Sequence, residues 1–414
     1  MQKFIKICSG IILAIMIFFF FTNDYGLVDL QKTSVVLGVG IDVEGDGYLV
    51  TAQVAVPSPS ENGESVQYTE VSGRGKTVAE ALGEINAKSG FYPKLLFCNL
   101  IILGENCKQK KLFEVLDYFY RNEYTQLTAN VAMCKGRATD LFSLNTPVGS
   151  MNTLSFERIM SDEARKSGNV SAVNLKDVAL MQYSESNCCY MPFIDFEPKA
   201  SENGSASGNQ SGGSQGGGQS QGGGQSGGQA QDGSSSGTGA SSSQEKAMEF
   251  TCNKTALFND GEYKATIDRR QALMLNLLKG NVRRIITTTE HDGNTLAIGI
   301  KNNGSSIKLK IENGAPVLTL YYKGRAQIQD VTKQSNPYDS AVSDVLSPEL
   351  LLDVNKSVFN DMNALVQTIR ATNCDILGVK RLLKKFHFAH YDEYADNILQ
   401  DVKVKIEPNV ISVN

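Results

Sequence analysis

The chain has 414 residues, of which 41% are hydrophobic. That length suffices for two or three domains of about 100–200 residues, each with its own core. Forty Lys and Arg against 44 Asp and Glu leave a formal net charge of −4 with no long block of either sign; the basic surplus or stripe of a nucleic-acid binder is missing, and nucleic acid is not an expected partner.

The first element is apolar. Lys3 and Lys6 precede an unbroken greasy run from Ile11 to Phe21, and the apolar character reaches back to Phe4. A membrane-spanning helix needs about 20 residues, so residues 4–22 are long enough to anchor the chain if Lys6 snorkels toward the headgroups. A cleaved signal peptide shares the basic start but ends in small residues, whereas this run ends in Phe18, Phe19, Phe20 and Phe21. A retained transmembrane helix is the expectation. Lysines before the run and Asp24 and Asp29 after it place the rest of the chain outside the cytoplasm.

Residues 27–198 read as an α/β ectodomain. SVVLGVGID and GYLVTAQVAV, separated by VEGDG, form a hairpin pattern, and Val50, Ala52, Val54 and Val56 keep a two-residue period. A strand near 67–71 follows, and then the helix KTVAEALGEINAKSG. Thr77 and Glu80 have the spacing of a capping box; Val78, Leu82 and Ile85 share a face, and Gly90 supplies a stop. LLFCNLIILG is a buried strand by its continuous apolar run, KLFEVLDYFYRNEY is a helix with Leu112, Val115, Leu116 and Phe119 inward, and LTANVAMCKG is an alternating strand.

Residues 201–246 are dominated by Gly, Ser and Gln, with too little apolar side chain to repay ordering, and predict a disordered tether. A random chain of that length spans roughly 35–40 Å, so the flanking parts can be neighbours or stand apart.

Residues 247–414 form a second α+β region, divisible near 247–300 and 301–414. TCNKTALFNDGEYKATID reads as a hairpin turning at Asn259, Asp260 and Gly261, and RQALMLNLLKG as a helix. Strands near 293–301, 305–313 and 316–330 precede SPELLLDVNKSVFNDMNALVQTIRAT, where Ser347 caps, Pro348 suits the first turn, and Leu351, Val354, Val358, Met362, Leu365 and Ile369 form a stripe. A short helix near 376–385 and the strand VKVKI complete the chain. The fold class is α+β: mixed sheets with packed helices in several domains.

Several stretches imitate chemical motifs. SGRGKT resembles a phosphate-binding loop, but the pattern requires Gly at position 70, where Glu70 stands and would repel phosphate. GVGID lacks the third glycine of a dinucleotide loop. His387 and His390, with Asp392 and Glu393, have helical spacing for metal ligands, yet no second cluster completes a site, and a solvated amphipathic surface is the simpler reading. No nucleophile elbow marks a hydrolase. Outside the anchor the cysteines number seven, an odd count at irregular spacing that reads as buried free thiols; the adjacent Cys188 and Cys189 are the pair to test for oxidation. No catalytic, cofactor or metal residue is assigned.

Together VVLGVGIDVEGDGYLVTAQV, GKTVAEAL, LLFCNLIILGE with VLDYFYRNE, VAMCKGRATDLF, TALFNDGEYKATID, CDILGV and VKVKIEPNVISV resemble, in order, the Ger(x)C family, the C subunits of the nutrient germinant receptors of endospore-forming bacteria. The resemblance implies a non-enzymatic, membrane-attached protein of mixed α/β architecture that works with A-type and B-type membrane subunits at the spore inner membrane, without cofactor. Members typically carry a lipidated Cys followed by Trp-Asp just after the apolar run. Here Thr22-Asn23-Asp24 stand at that place, the chain has no Trp, and Cys8 comes too early. The helix itself is then the expected anchor. The competing classes are an extracytoplasmic ligand-binding protein, which predicts saturable affinity in isolation, and an anchored hydrolase, which predicts turnover.

Overall fold

The computed structural model describes residues 10–16, 33–60, 63–90, 92–143, 152–198, 248–291, 294–332 and 345–413. Residues 10–16 are helical and exposed, and the rest of the expected anchor at 4–22 lies outside the described residues, as does the expected tether at 201–246. Among the described residues no helix is long and apolar enough to cross a membrane.

The larger sheet begins with a meander, β1 (Thr33–Glu44), β2 (Gly47–Ser60) and β3 (Gly63–Gly75). Gly45, with φ of 57°, makes the first turn tight. Helix α1 (Val78–Ser89) crosses back over β3 and buries Val78, Ala81, Leu82 and Ile85. Its start departs from a full capping box. Thr77 Oγ1 accepts from Glu80 N at 3.2 Å, but the Glu80 carboxylate accepts from Lys76 N at 2.7 Å, one residue before the cap. The glycines of SGRGKT have a steric reason: a Cβ on Gly73 would collide with the Ala81 carbonyl oxygen, so they let the helix lie close on the strand.

Short β4 (Tyr92–Lys94) and β5 (Leu100–Leu103) both run parallel to β1. The expected continuous strand LLFCNLIILG is therefore shorter than its apolar run. Cys98 N donates to Leu95 O, closing a single 3-10 turn at Leu95–Phe97 that leaves Leu96 and Phe97 exposed. Helix α2 (Leu112–Arg121) buries Leu112, Val115, Leu116 and Phe119, and β6 (Asn130–Cys134) pairs parallel with β5. Four short helices follow: α3 (Ala138–Ser143), α4 (Asn152–Ile159), α5 (Asp162–Ser167) and, after the two-residue β7 (Val173–Asn174), α6 (Leu175–Gln182). GVGID is built into this packing. A Cβ on Gly38 or Gly40 would press on Phe142 of α3, and the fully buried Asp42 accepts from Ala138 N at 2.9 Å and from Thr139 N at 3.0 Å at the start of that helix.

Strand β8 (Cys188–Pro198) lies parallel to β6, and the first hairpin after residue 247, β9 (Met248–Asn259) with β10 (Glu262–Ile267), continues the same sheet, with Pro198 opposite Met248. The strand order is β10-β9-β8-β6-β5-β1-β2-β3, with β4 and β7 as short additions on β1 and β6. Its centre is parallel and both flanks are antiparallel. The two flanking segments of the chain are thus neighbours. Because successive side chains point to opposite faces, Leu100, Ile102, Ala132 and Cys134 join one core with Phe142 and Phe156, while Ile101, Leu103, Val131 and Met133 join a second, larger core.

That larger core continues through α7 (Arg269–Leu278), whose capping box pairs Asp268 with Gln271, into a four-stranded sheet. The sheet consists of β11 (Arg284–His291), β12 (Asn294–Glu312), β13 (Ala315–Thr332) and β14 (Lys403–Ser412), in that order. Strands expected separately near 293–301 and 305–313 are one strand, interrupted by a register shift between Asn302 and Gly304. Helix α8 (Pro348–Thr372), capped by Ser347 Oγ to Leu350 N at 3.1 Å, packs on α7 and β14; Leu350 is its first buried residue, whereas Leu351 is only half-buried. Helix α9 (Val379–Phe386) then buries Val379 and Leu383 and packs against β12. The architecture is α+β, with two mixed sheets and packed helices.

Candidate functional site at the junction of the two halves

The turn after α6, the tip of the β9–β10 hairpin and the segment joining α8 to α9 converge on one polar cavity of about 160 Å³. Three of the four non-glycine residues with positive φ among the described residues line it: Asn187 at 49°, Asp260 at 51° and Asn373 at 51°. Asn and Asp tolerate this left-handed conformation because their short side chains bond the local backbone. Each residue sits at a turn between elements, so that three chain reversals fit side by side. Asp260 and Gly261 form the hairpin turn, and Asn373 caps α8.

Asp375 is the hub. Its Oδ1 accepts from Val379 N at 2.8 Å; its Oδ2 accepts from Lys380 N at 2.8 Å and from Ser186 Oγ at 2.6 Å. The carboxylate therefore satisfies the free amides of the first turn of α9, where a negative charge also suits the helix dipole. Through Ser186 it holds the turn before β8. Burial pushes its carboxyl above the ordinary value, against the hydrogen bonds from Ser186, Lys380 and Val379 that favour the charged form. Around it, Asn259 Nδ2 donates to Asn373 O at 2.8 Å, Lys384 pairs with Glu185 at 3.1 Å, and Asp375 N donates to Cys188 Sγ at 3.2 Å.

The vicinal cysteines separate here. Cys189 Sγ donates to Gln182 Oε1 at 3.6 Å, while Cys188 Sγ lies against the backbone between Cys374 and Asp375. All seven cysteines among the described residues are buried and free.

At the C-terminal cap of α7, Lys279 is half-buried. Desolvation, reinforced by the Arg381 charge, lowers its pKa to about 8. A second polar cluster lies in an open cleft on the larger sheet, where Asp195 is held by Lys254 at 2.5 Å and Lys135 at 3.2 Å. Lys108 sits there 4.4 Å from the ring centre of Tyr263.

His387 and His390 are not brought together on a common ligand. His387 Nε2 lies 2.9 Å from Leu309 O, and His390 Nδ1 lies 3.2 Å from Glu393 Oε2. Among the described residues no group of three or more His, Cys, Asp or Glu side chains is placed to hold a metal ion. Sequence reasoning located the turn at Asn259, Asp260 and Gly261 and singled out Cys188, but it missed Asp375, Ser186 and Cys374 as partners. The available signal was Asp375 with Gly378 just before a basic amphipathic helix, the pattern of an acidic group feeding a helix start.

Residues 27–196 match the family model described as "Spore germination protein N-terminal domain", and residues 253–412 match "Spore germination B3/ GerAC like, C-terminal". Over 125 residues the chain is 26% identical to spore germination protein B3 of Bacillus subtilis (strain 168), a stretch covering 29% of this chain and 33% of that protein. The crystal structure of the GerBC protein shares the fold with a TM-score of 0.50 and 13% identity, over 93% of this chain and 100% of that one. The junction around Asp375 lies where segments from the two matched regions meet.

Proposed function

Because the chain belongs to the Ger(x)C family of spore germination proteins, we propose that it is a non-enzymatic subunit of a spore nutrient germinant receptor, held at the membrane by residues 4–22 and acting with A-type and B-type membrane subunits. The observation that carries this reading is the presence, in order, of both family domains across nearly the whole chain beyond the apolar start. The junction supports it. Its polar side chains are engaged in joining Ser186, Asn259, Asn373 and Asp375 across the two matched regions, the work of a scaffold that presents a fixed outer surface. Membrane attachment would confine that surface to a thin layer beside its partners and raise its effective concentration, so that weak subunit contacts suffice.

The test is affinity capture of the tagged full chain from sporulating cells of the source bacterium, combined with deletion of its gene. Co-recovery of A-type and B-type membrane subunits and impaired nutrient-triggered germination are expected. Recovery of neither subunit, with germination unaffected by the deletion, would overturn the reading, and saturable capture of a small ligand by the chain alone would favour a free-standing binding protein.

A further inference from the structure

Cys188 and Cys374 come from opposite sides of the 201–246 segment, yet the Cys188 sulfur accepts a hydrogen bond at 3.2 Å from the amide of Asp375, the residue directly after Cys374, which brings the two cysteines together. That contact fixes the start of β8, which Cys188 opens. Cys98 and Cys107, by contrast, donate to main-chain carbonyls, at 3.4 and 3.3 Å. The residues flanking both thiols, Ser186, Asn187, Asn373 and Asp375, line the junction cavity of about 160 Å³, large enough to admit a molecule little bigger than water.

We propose that Cys188 and Cys374 are an oxidation site that closes a reversible disulfide between the two halves of the chain, with a small hydroperoxide as oxidant. Cys374 is the attacking sulfur. Donation from the Cys188 thiol favours its thiolate, against burial and aided by the positive charge of Lys264, so that its pKa lies below the ordinary thiol value while that of Cys188 lies above it. The Cys374 thiolate attacks one peroxide oxygen, and the O–O bond breaks. Hydroxide leaves and takes up the proton that Cys374 had released, giving one water and a sulfenic acid on Cys374. The Cys188 sulfur then attacks the Cys374 sulfur; the S–S bond forms, the S–O bond breaks, and the hydroxyl group departs as a second water with the Cys188 proton. Two thiols and one hydrogen peroxide become one disulfide and two waters. The two sulfurs together lose two electrons, and the peroxide gains them.

The geometry sets the outcome. Cys189, although adjacent in sequence, is directed to Gln182 and stays reduced. The bond would fasten the start of β8 to the end of α8 and fix the junction covalently.

The experiment uses the full chain in its folded state, exposed to hydrogen peroxide, quenched, denatured and alkylated before intact mass and peptide mapping. Alkylatable thiols should fall from the eight of the whole sequence to six, with a cross-linked peptide joining Cys188 to Cys374 and recovery of eight after dithiothreitol. The Cys189→Ser variant should show the same cross-link, and Cys188→Ser and Cys374→Ser should not. Persistence of eight thiols under peroxide that oxidises free cysteine, a bond from Cys188 to Cys189, or cross-linking only under conditions that abolish the near-ultraviolet circular dichroism of the fold would each overturn the proposal.

Discussion

Replacing Asp375 with alanine tests whether the junction is held by one carboxylate. The substitution strips the acceptor from three donors, Val379 N, Lys380 N and Ser186 Oγ. Asp375 is 6% exposed, so water cannot simply replace it at every donor. Two helix amides left without an acceptor cost about 1–1.5 kcal/mol each, and the Ser186 hydroxyl, free to turn toward the adjacent cavity, about 0.5 kcal/mol. A net loss of about 3 kcal/mol is expected, read as a lower urea midpoint at unchanged slope. Ser186→Ala alone should cost about 1 kcal/mol, and in a double-mutant cycle the two effects should couple by at least ~0.5 kcal/mol. The pH dependence has a defined sign. The folded carboxyl titrates above its ordinary value of 3.8, so between that value and the raised one the folded state binds more protons than the unfolded state. Stability contributed by this group therefore rises as pH falls through that window, and the gap between the wild-type chain and Asp375→Ala widens on acidification. A variant within about 0.5 kcal/mol of wild type, or zero coupling to Ser186, would refute the reasoning.

Two glycines where α1 packs on β3 predict opposite effects. Gly73→Ala on the strand beneath it forces a Cβ into the Ala81 carbonyl and should destabilise by about 2–3 kcal/mol, whereas Gly83→Ala, with open space around it on the exposed helix face, should stabilise by about 0.5–1 kcal/mol; thermal or urea unfolding reads both. Lys279→Met removes a half-buried ammonium whose folded pKa is lowered to about 8, so it should stabilise by about 1–2 kcal/mol at neutral pH, and this advantage should shrink between pH 8 and 10.5 as the wild-type chain gains stability by binding fewer protons than its unfolded state. Equal effects of the methionine at pH 7 and pH 10 would refute that account. Changing Phe18, Phe19, Phe20 and Phe21 to serine should move the protein from the membrane fraction to the soluble fraction of cells; continued retention would show that contacts with partners, rather than the apolar segment, hold it there.

What could be read from the residues alone follows the range of the forces involved. Local signals were legible. The inward face of α2, the turn at Asp260 and Gly261, and the Ser347 cap of α8 are each fixed within a few residues, and they stand as expected. The apolar run around Cys98 misled because hydrophobicity alone does not tell a strand from a turn that happens to be greasy. The four short helices between Ala138 and Gln182 have too few turns to show a period. The junction was least accessible. Asp375 meets a serine 189 positions away, and the amide that Cys188 accepts from lies in the other half, a pairing set by how the strands are ordered and not by any local pattern.

Pro198 and Met248 face each other across an antiparallel pair, so the segment between them leaves and re-enters the sheet at points one strand spacing apart, about 5 Å. Strands β8 and β9 therefore pair as the two arms of a hairpin do. Closing a loop costs free energy that grows only with the logarithm of its length, about 0.6 kcal/mol for each doubling. Residues can therefore be added to or removed from this segment over evolutionary time with little effect on the pairing of β8 with β9, and the registration of the two halves does not depend on how long the insertion becomes. Its composition is correspondingly released from the demands of folding, which is where a run of Gly, Ser and Gln can accumulate without disturbing the scaffold.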